Sequence, residues 1–324
     1  MDRRVFISGA TLGLLTAPLA VEAQQANPYR IGVVFEGGPY YAVVDGLREG
    51  LREFKLEEGT HFVFDIRDGH GDLAASEKAA QDLERENISL IYAVGTTDTA
   101  AVKRATARTP IVFCVGVDPV AFGLVKSFAK PGGRLTGVHW LGRELTAKRL
   151  EILKEMLPKL RRVVTFYNPG NRTSSENAKL AREAAQHLRV DIVERHVISV
   201  EQLRAALDRL KTGEVDAYFY VGDAMVVSQA QLIVDTAKAK RLPTMFHERG
   251  IVANGALAGY GVNYREVGRA SAKHVQRVLT GTSPKDLPIE NTDKLELILN
   301  LKTAKVLGLT IPQSLLQRAD QVIE

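Results

Sequence analysis

Leu90 to Gly137 reads LIYAVGTTDTAAVKRATARTPIVFCVGVDPVAFGLVKSFAKPGGRLTG, and its punctuation decides the fold. An apolar run, Leu90 to Val94, has the length of a buried strand and stops at Gly95-Thr96-Thr97. Thr97 to Thr106 then has helical spacing, with Ala100, Ala101 and Ala105 on one side. A second apolar run, Ile111 to Val115, follows Pro110 and stops at Gly116-Val117-Asp118-Pro119. Strand, helix and strand in that order form a βαβ unit, whose two polar corners lie side by side at the carboxyl edge of a parallel sheet. Open α/β sheets bind ligands at that edge.

The pattern extends in both directions. Upstream, Tyr29 to Phe35 reads as a strand with the corner Glu36-Gly37-Gly38-Pro39. Tyr40 to Phe54 is a helix, His61 to Ile66 a strand and Leu73 to Glu86 a helix. Leu135 to Trp140 is a short strand leading out of this series. A second series follows. Its strands are Arg162–Tyr167, Asp191–Val197, Ala217–Val221, Thr244–Phe246 and Ala256–Tyr260. Its helices are Ala147–Leu157, Ser174–Leu188 with Ser174 and Ser175 as caps, Val200–Lys211 and Val226–Lys240. The tail adds a helix at Arg265–Leu279, a strand at Leu295–Leu299 and a short helix at Lys302–Leu307. Two α/β series of similar size predict two parallel-sheet lobes covered on both faces. A tail that alternates helix and strand predicts several crossings between them, hence a hinge over a cleft. The expected division is residues 27–140 plus about 262–282 for the first lobe, and about 141–261 plus about 283–324 for the second.

The chain has 324 residues and is 45% hydrophobic, enough for two medium cores. Its net charge of +5 is spread among interleaved acids and bases, and aromatics are 6%, so no nucleic-acid surface is expected. Met1 to Ala23 has an Arg3-Arg4 pair, an apolar run from Ala10 to Ala20 and small residues before Gln24. That is the pattern of an export signal, twin-arginine or general secretory, and it predicts a periplasmic location. The one cysteine, Cys114, lies in an apolar run and reads as a buried, inert thiol. Dinucleotide, P-loop, nucleophile-elbow and zinc motifs are missing, and the seven histidines form no ligand pair, so neither a cofactor nor a metal is expected.

A polar residue recurs just after each strand: Glu36, Thr96 and Thr97, Asp118, Asn168, Asp223 and Glu248. Turns favour such residues in any protein. Six corners from two lobes, however, would converge on one cleft. Thr96 and Thr97 begin a helix, where hydroxyls and free N–H groups hold a carboxylate. Asp118, Asp223 and Glu248 could receive an ammonium group. Tyr40, Tyr41 and Tyr260 could cover an apolar or aromatic side chain, and His70 and His247 lie within reach of the cleft.

Three long stretches carry a resemblance: VGVDPVAFGLVKSFAKPGGRLTGV (Val115 to Val138), KRLEILKEMLPKLRRVVTFYNP (Lys148 to Pro169) and KLELILNLKTAKVLGLTIPQSLLQRADQVIE (Lys294 to Glu324). With them the chain resembles the periplasmic substrate-binding proteins of ABC transporters, in the subgroup with tryptophan- and phenylalanine-binding members. The resemblance implies a type I periplasmic-binding fold, α/β, with two Rossmann-like lobes joined by three crossovers and closing on a ligand. It implies site roles for Thr96-Thr97, for the Asp118-Pro119 corner and for the Asn168-Pro169 corner. Val221 to Ala224, His247 to Arg249 and Glu36 depart from the family pattern. The expected function is an exported solute receptor that binds a small polar or aromatic, carboxylate- or amide-bearing solute. It would act as a monomer and dock on an ABC permease in the inner membrane. The ligand-binding set is Glu36, Tyr40, Thr96, Thr97, Asp118, Asn168, Asp223, Glu248 and Tyr260. A periplasmic sensor subunit and a two-lobe α/β enzyme are the rival readings.

Overall fold

The computed structural model describes residues 27–140, 142, 145–292 and 294–324, so the export signal expected at residues 1–23 lies outside the described residues. The first series is β1 (Tyr29–Phe35), α1 (Tyr41–Glu53), β2 (Phe62–Asp68), α2 (Leu73–Arg85), β3 (Leu90–Val94), α3 (Thr96–Ala105), β4 (Ile111–Val115) and β5 (Leu135–His139). These strands are parallel, and β3 lies beside β4 with Val94 opposite Cys114, so the two corners meet at one edge as their sequence demands. Every residue of β3 and β4 is buried, which is why both read as unbroken apolar runs.

The second series is α4 (Leu145–Met156), β6 (Arg162–Tyr167), α5 (Arg172–Leu188), β7 (Asp191–His196), α6 (Val200–Arg209), β8 (Ala217–Phe219), α7 (Ala224–Ser228), α8 (Ala230–Ala239), β9 (Thr244–Phe246), α9 (Arg249–Ala253) and β10 (Ala258–Val262). The long helix expected over Val226–Lys240 is thus two helices, because Asp223 caps an earlier start and the chain breaks at Gln229. The helix expected from Ser174 likewise begins at Arg172. Asn171 is its cap, accepting from the N–H groups of Thr173 and Ser174.

The tail crosses back and forth. α10 (Tyr264–Leu279) returns to pack along α1. β11 (Glu290–Asn291) joins the first sheet beside β5, a strand too short to carry a sequence signal. β12 (Leu295–Asn300) runs antiparallel to β10 in the second sheet. α11 (Leu301–Leu307), α12 (Gln313–Arg318) and β13 (Gln321–Ile323) finish the chain, with β13 beside β12. The two sheets have the orders β11-β5-β4-β3-β1-β2 and β13-β12-β10-β9-β8-β6-β7. The chain passes between them after β5, after β10 and after β11.

The contact between α1 and α10 depends on missing side chains. A methyl group added at Gly46 would strike the Arg265 carbonyl oxygen, and one added at Gly268 would strike that of Val43. Across the first core, the Tyr92 hydroxyl donates to Ser271 at 2.9 Å. Cys114 is fully buried beside them, and burial pushes its thiol up to about 12, so it has no nucleophilic form at neutral pH. Among the described residues, no helix is long and apolar enough to cross a membrane.

Candidate functional site

The carboxyl ends of β1, β3 and β4 face those of β6, β8 and β9 across a cavity of about 660 Å³, open mouth included. Its walls are aromatic. Tyr40, just before α1, stacks on Tyr264 at the start of α10, with ring centroids 5.2 Å apart. Trp140, one residue past β5, leans on the same Tyr264 at 5.8 Å. From the second sheet, Tyr220 stacks on His247 at 4.4 Å, and His247 Nε2 meets the Tyr264 hydroxyl at 2.7 Å. Burial, with the nearby Arg149 charge, holds His247 well below its ordinary range, so its ring is neutral.

Arg149 stands among these rings. It lies on the buried stripe of α4 with Thr146, Leu150 and Leu153, and it is 3% exposed. Its Nη2 donates to Thr146 Oγ1 at 3.1 Å and its Nη1 to the Tyr260 carbonyl at 3.4 Å. Its Nε has no partner, and no carboxylate pairs with it among the described residues. Burial draws it down to about 10, which leaves it charged at neutral pH. A buried charge without a counter-ion costs several kcal/mol. Among the described residues, two more buried atoms on the cavity wall also lack partners, Asn177 Oδ1 and His247 Nδ1.

The structure brings four of the nine sequence-predicted residues to this cavity: Tyr40, Thr96, Thr97 and Asp223. Thr96 and Thr97 open α3 after Gly95, whose φ of 92° makes the turn. The two carboxylate oxygens of Asp223 are already engaged. They accept from the Asn168 N–H at 2.8 Å, the Ser174 hydroxyl at 2.7 Å and the Val226 N–H at 2.9 Å. Glu36 and Asn168 line a wider cleft that continues from the cavity and shares Thr96, Thr97, Thr173 and Asp223 with it.

Three predicted residues lie elsewhere. Asp118 is exposed, and its carboxylate accepts from the N–H groups of Val120 and Ala121, closing its own turn. Glu248 is buried as the cap of α9, accepting from Ile251 at 3.1 Å. Tyr260 offers Arg149 its carbonyl while its ring packs against the second core, because the cavity-facing residues of that strand are Gly261 and Val262. Conversely, Arg149, Trp140, Asn177, Tyr220 and Tyr264 line the cavity without having been singled out as ligand groups. One signal was available: an arginine on the apolar stripe of a helix.

The profile of the family described as "ABC transporter substrate binding protein" matches residues 30–323. A tyrosine-binding protein of Clostridioides difficile is 28% identical over 265 residues, which cover 82% of this chain and 76% of that protein. A Streptococcus pneumoniae ABC domain in complex with L-Trp superposes with a TM-score of 0.80 at 24% identity, covering 91% of this chain and 100% of that one. A substrate-binding protein with adhesive properties from Clostridium difficile, in a ligand-free, open structure, gives a TM-score of 0.59 at 26% identity, covering 91% and 99%.

Proposed function

We propose a function on one premise: the chain belongs to the ABC transporter substrate-binding protein family. It is the exported solute receptor of an ABC importer, and it takes an aromatic carboxylate into the cavity between its two sheets. Arg149 carries this reading. A guanidinium buried among Tyr220, Tyr260 and Tyr264, with its Nε free, is a site prepared for an anion. The flat rings around it suit an aromatic side chain. The tyrosine-binding relative supports the same class.

The arrangement described is read as the closed one. At similar identity, the chain fits the L-Trp-bound structure with a TM-score of 0.80 and the ligand-free, open one with 0.59. Contacts between the two halves support this, including the Arg172 guanidinium 4.5 Å over the Phe122 ring. The cavity's serine, Ser174, donates to a carboxylate instead of an imidazole, which favours binding over turnover. Closure around the solute would present one shape to the permease and another without solute.

The test is calorimetric titration of the chain from Gln24 onward with L-tyrosine, 3-(4-hydroxyphenyl)propionate and tyramine. The two acids should bind and the amine should not. Arg149→Met should weaken the acids by about 30-fold or more, since breaking a buried charge pair costs about 2–5 kcal/mol. Tyramine binding as tightly as the acids would overturn the assignment.

A further inference from the structure

We propose that Ser228 is a positioning residue for closure, a knob on the second half of the chain that seats in a socket made by two glycine turns of the first half; this rests on the reading of the described arrangement as the closed one. The socket has two walls. One is the turn after β1, where Gly38 opens the 3-10 turn Gly38–Tyr40 at a φ of 60°. A methyl group added there would stand 2.9 Å from Ser228 Cα and 3.0 Å from the Val227 carbonyl oxygen. The other wall is the turn after β2, where Gly71 has a φ of 85°. A methyl group there would stand 2.8 Å from Ser228 Oγ and 3.3 Å from Met225 Cγ. The space that a side chain would take at either glycine is filled by Ser228 and its helix.

The knob satisfies its polar atom within its own half. Ser228 Oγ donates to the Met225 carbonyl at 2.7 Å and accepts from Gln229 Nε2 at 3.1 Å. Among the described residues, no hydrogen bond runs from it to the first half. The fit is therefore one of shape, and close-packed atoms have no room for an added carbon. Its place in the fold ties that fit to the solute cavity from both sides. Ser228 ends α7, and Asp223, which caps the start of the same helix, lines the cavity. Gly38 lies two residues before Tyr40, whose ring stacks on Tyr264 in the opposite wall. Lifting Ser228 out of the socket would draw Asp223 away from Tyr40 and open the cavity. The bridges from Arg172 to Phe122 and from Asn171 to Thr97 are made by side chains, which can turn to follow a small shift. The socket walls are backbone and cannot.

The glycines are poor probes, because a side chain at positive φ strains the turn whether or not the halves meet. Ser228→Leu is the test, since leucine keeps α7 helical while enlarging the knob. Trp140, the only tryptophan of the chain, lies on the cavity wall and reports binding of L-tyrosine by stopped-flow fluorescence. Ser228→Leu should release the solute about tenfold faster or more, with an association rate within about twofold of the wild type and an unchanged melting temperature without solute. Ser228→Ala, which keeps the knob small, should release it within about twofold of the wild-type rate. Release from Ser228→Leu at the wild-type rate would overturn the proposal. A second measurement needs no solute. Gly71→Cys combined with Ser228→Cys places two thiols within the span of a disulfide, and the buried Cys114 cannot compete. Diamide should oxidise that pair to a disulfide, seen by mass as the loss of two hydrogens. If Ser228→Leu does not fold, or the wild type does not bind L-tyrosine, this cross-link decides alone. The second of those outcomes would overturn the solute class and leave the seat standing where the disulfide forms. No disulfide, with or without solute, would overturn the seat.

Discussion

The Asn171 side-chain amide donates a 3.1 Å hydrogen bond to the Thr97 hydroxyl, joining the cap of α5 in the second half to the first turn of α3 in the first. Asn171 also caps its own helix, so replacing it mixes two effects. Thr97→Val isolates the bond between the halves. A neutral hydrogen bond contributes about 0.5–1.5 kcal/mol net. Thr97→Val should therefore weaken L-tyrosine binding by about 2- to 10-fold while leaving the melting temperature of the unliganded protein unchanged. Calorimetry with parallel thermal denaturation reads both. An unchanged dissociation constant would show that this bond contributes nothing to the bound state.

Asp223 should behave as a brace for the second sheet. Its carboxylate gathers Asn168, Ser174 and Val226 from three segments. Asp223→Asn would point an amide donor at one of those donors and leave it unpaired in a buried corner. That costs about 1–3 kcal/mol, or about 2–4 °C of melting temperature per kcal/mol. The loss should appear in the unliganded protein. A melting temperature equal to the wild type would mean that Asp223 acts only through a bound solute.

Glu84 carries a pH-dependent part of the stability. Burial alone would raise its carboxyl, but the N–H groups of Thr109, Arg108 and Ala107 and the Thr109 hydroxyl together hold it down to about 2. The folded value lies below the unfolded one, so the stabilisation is fully present above about pH 4.5 and is lost as pH falls toward about 2. Glu84→Gln should destabilise the chain by about 1–3 kcal/mol at neutral pH. The gap between variant and wild type should narrow steadily below about pH 4.5. Urea denaturation at several pH values measures it, and a gap independent of pH would refute the assignment.

The fold was legible where burial is complete. β3 and β4 are buried along their whole length, so they could be read as apolar runs, and the corners after them fell where the sheet edge is. The Thr96-Thr97 corner, which lines the cavity, could be read for the same reason. The rest of the cavity was harder to see because its chemistry looks like core. Tyr220, Trp140 and Tyr264 sit at the ends of buried elements, where a tyrosine or tryptophan packs in most proteins. The acids after strands divide the other way. Asp118 and Glu248 satisfy their own backbones, Asp223 ties three segments together, and Glu36 retains an oxygen without a partner among the described residues. Position after a strand is shared by all four. What separates them is the geometry of neighbouring N–H groups, which spacing does not encode.

The seam between α1 and α10 gives the sharpest structural prediction. α10 follows the second crossing of the chain, and its docking on α1 helps carry the return to the first sheet. Gly46 and Gly268 let backbone meet backbone there, and a methyl group at either would run into a carbonyl oxygen of the other helix. Backbone cannot rotate aside as a side chain does, so the helices must separate. Gly46→Ala should cost about 1–3 kcal/mol or more, in spite of the higher helix propensity of alanine. Gly133 is the control. Its added methyl group would meet nothing within 4 Å, and Gly133→Ala should stay within about 0.5 kcal/mol of the wild type. Urea denaturation of the two variants side by side separates the outcomes. A Gly46→Ala protein as stable as Gly133→Ala would mean that the helices do not pack at the separation described.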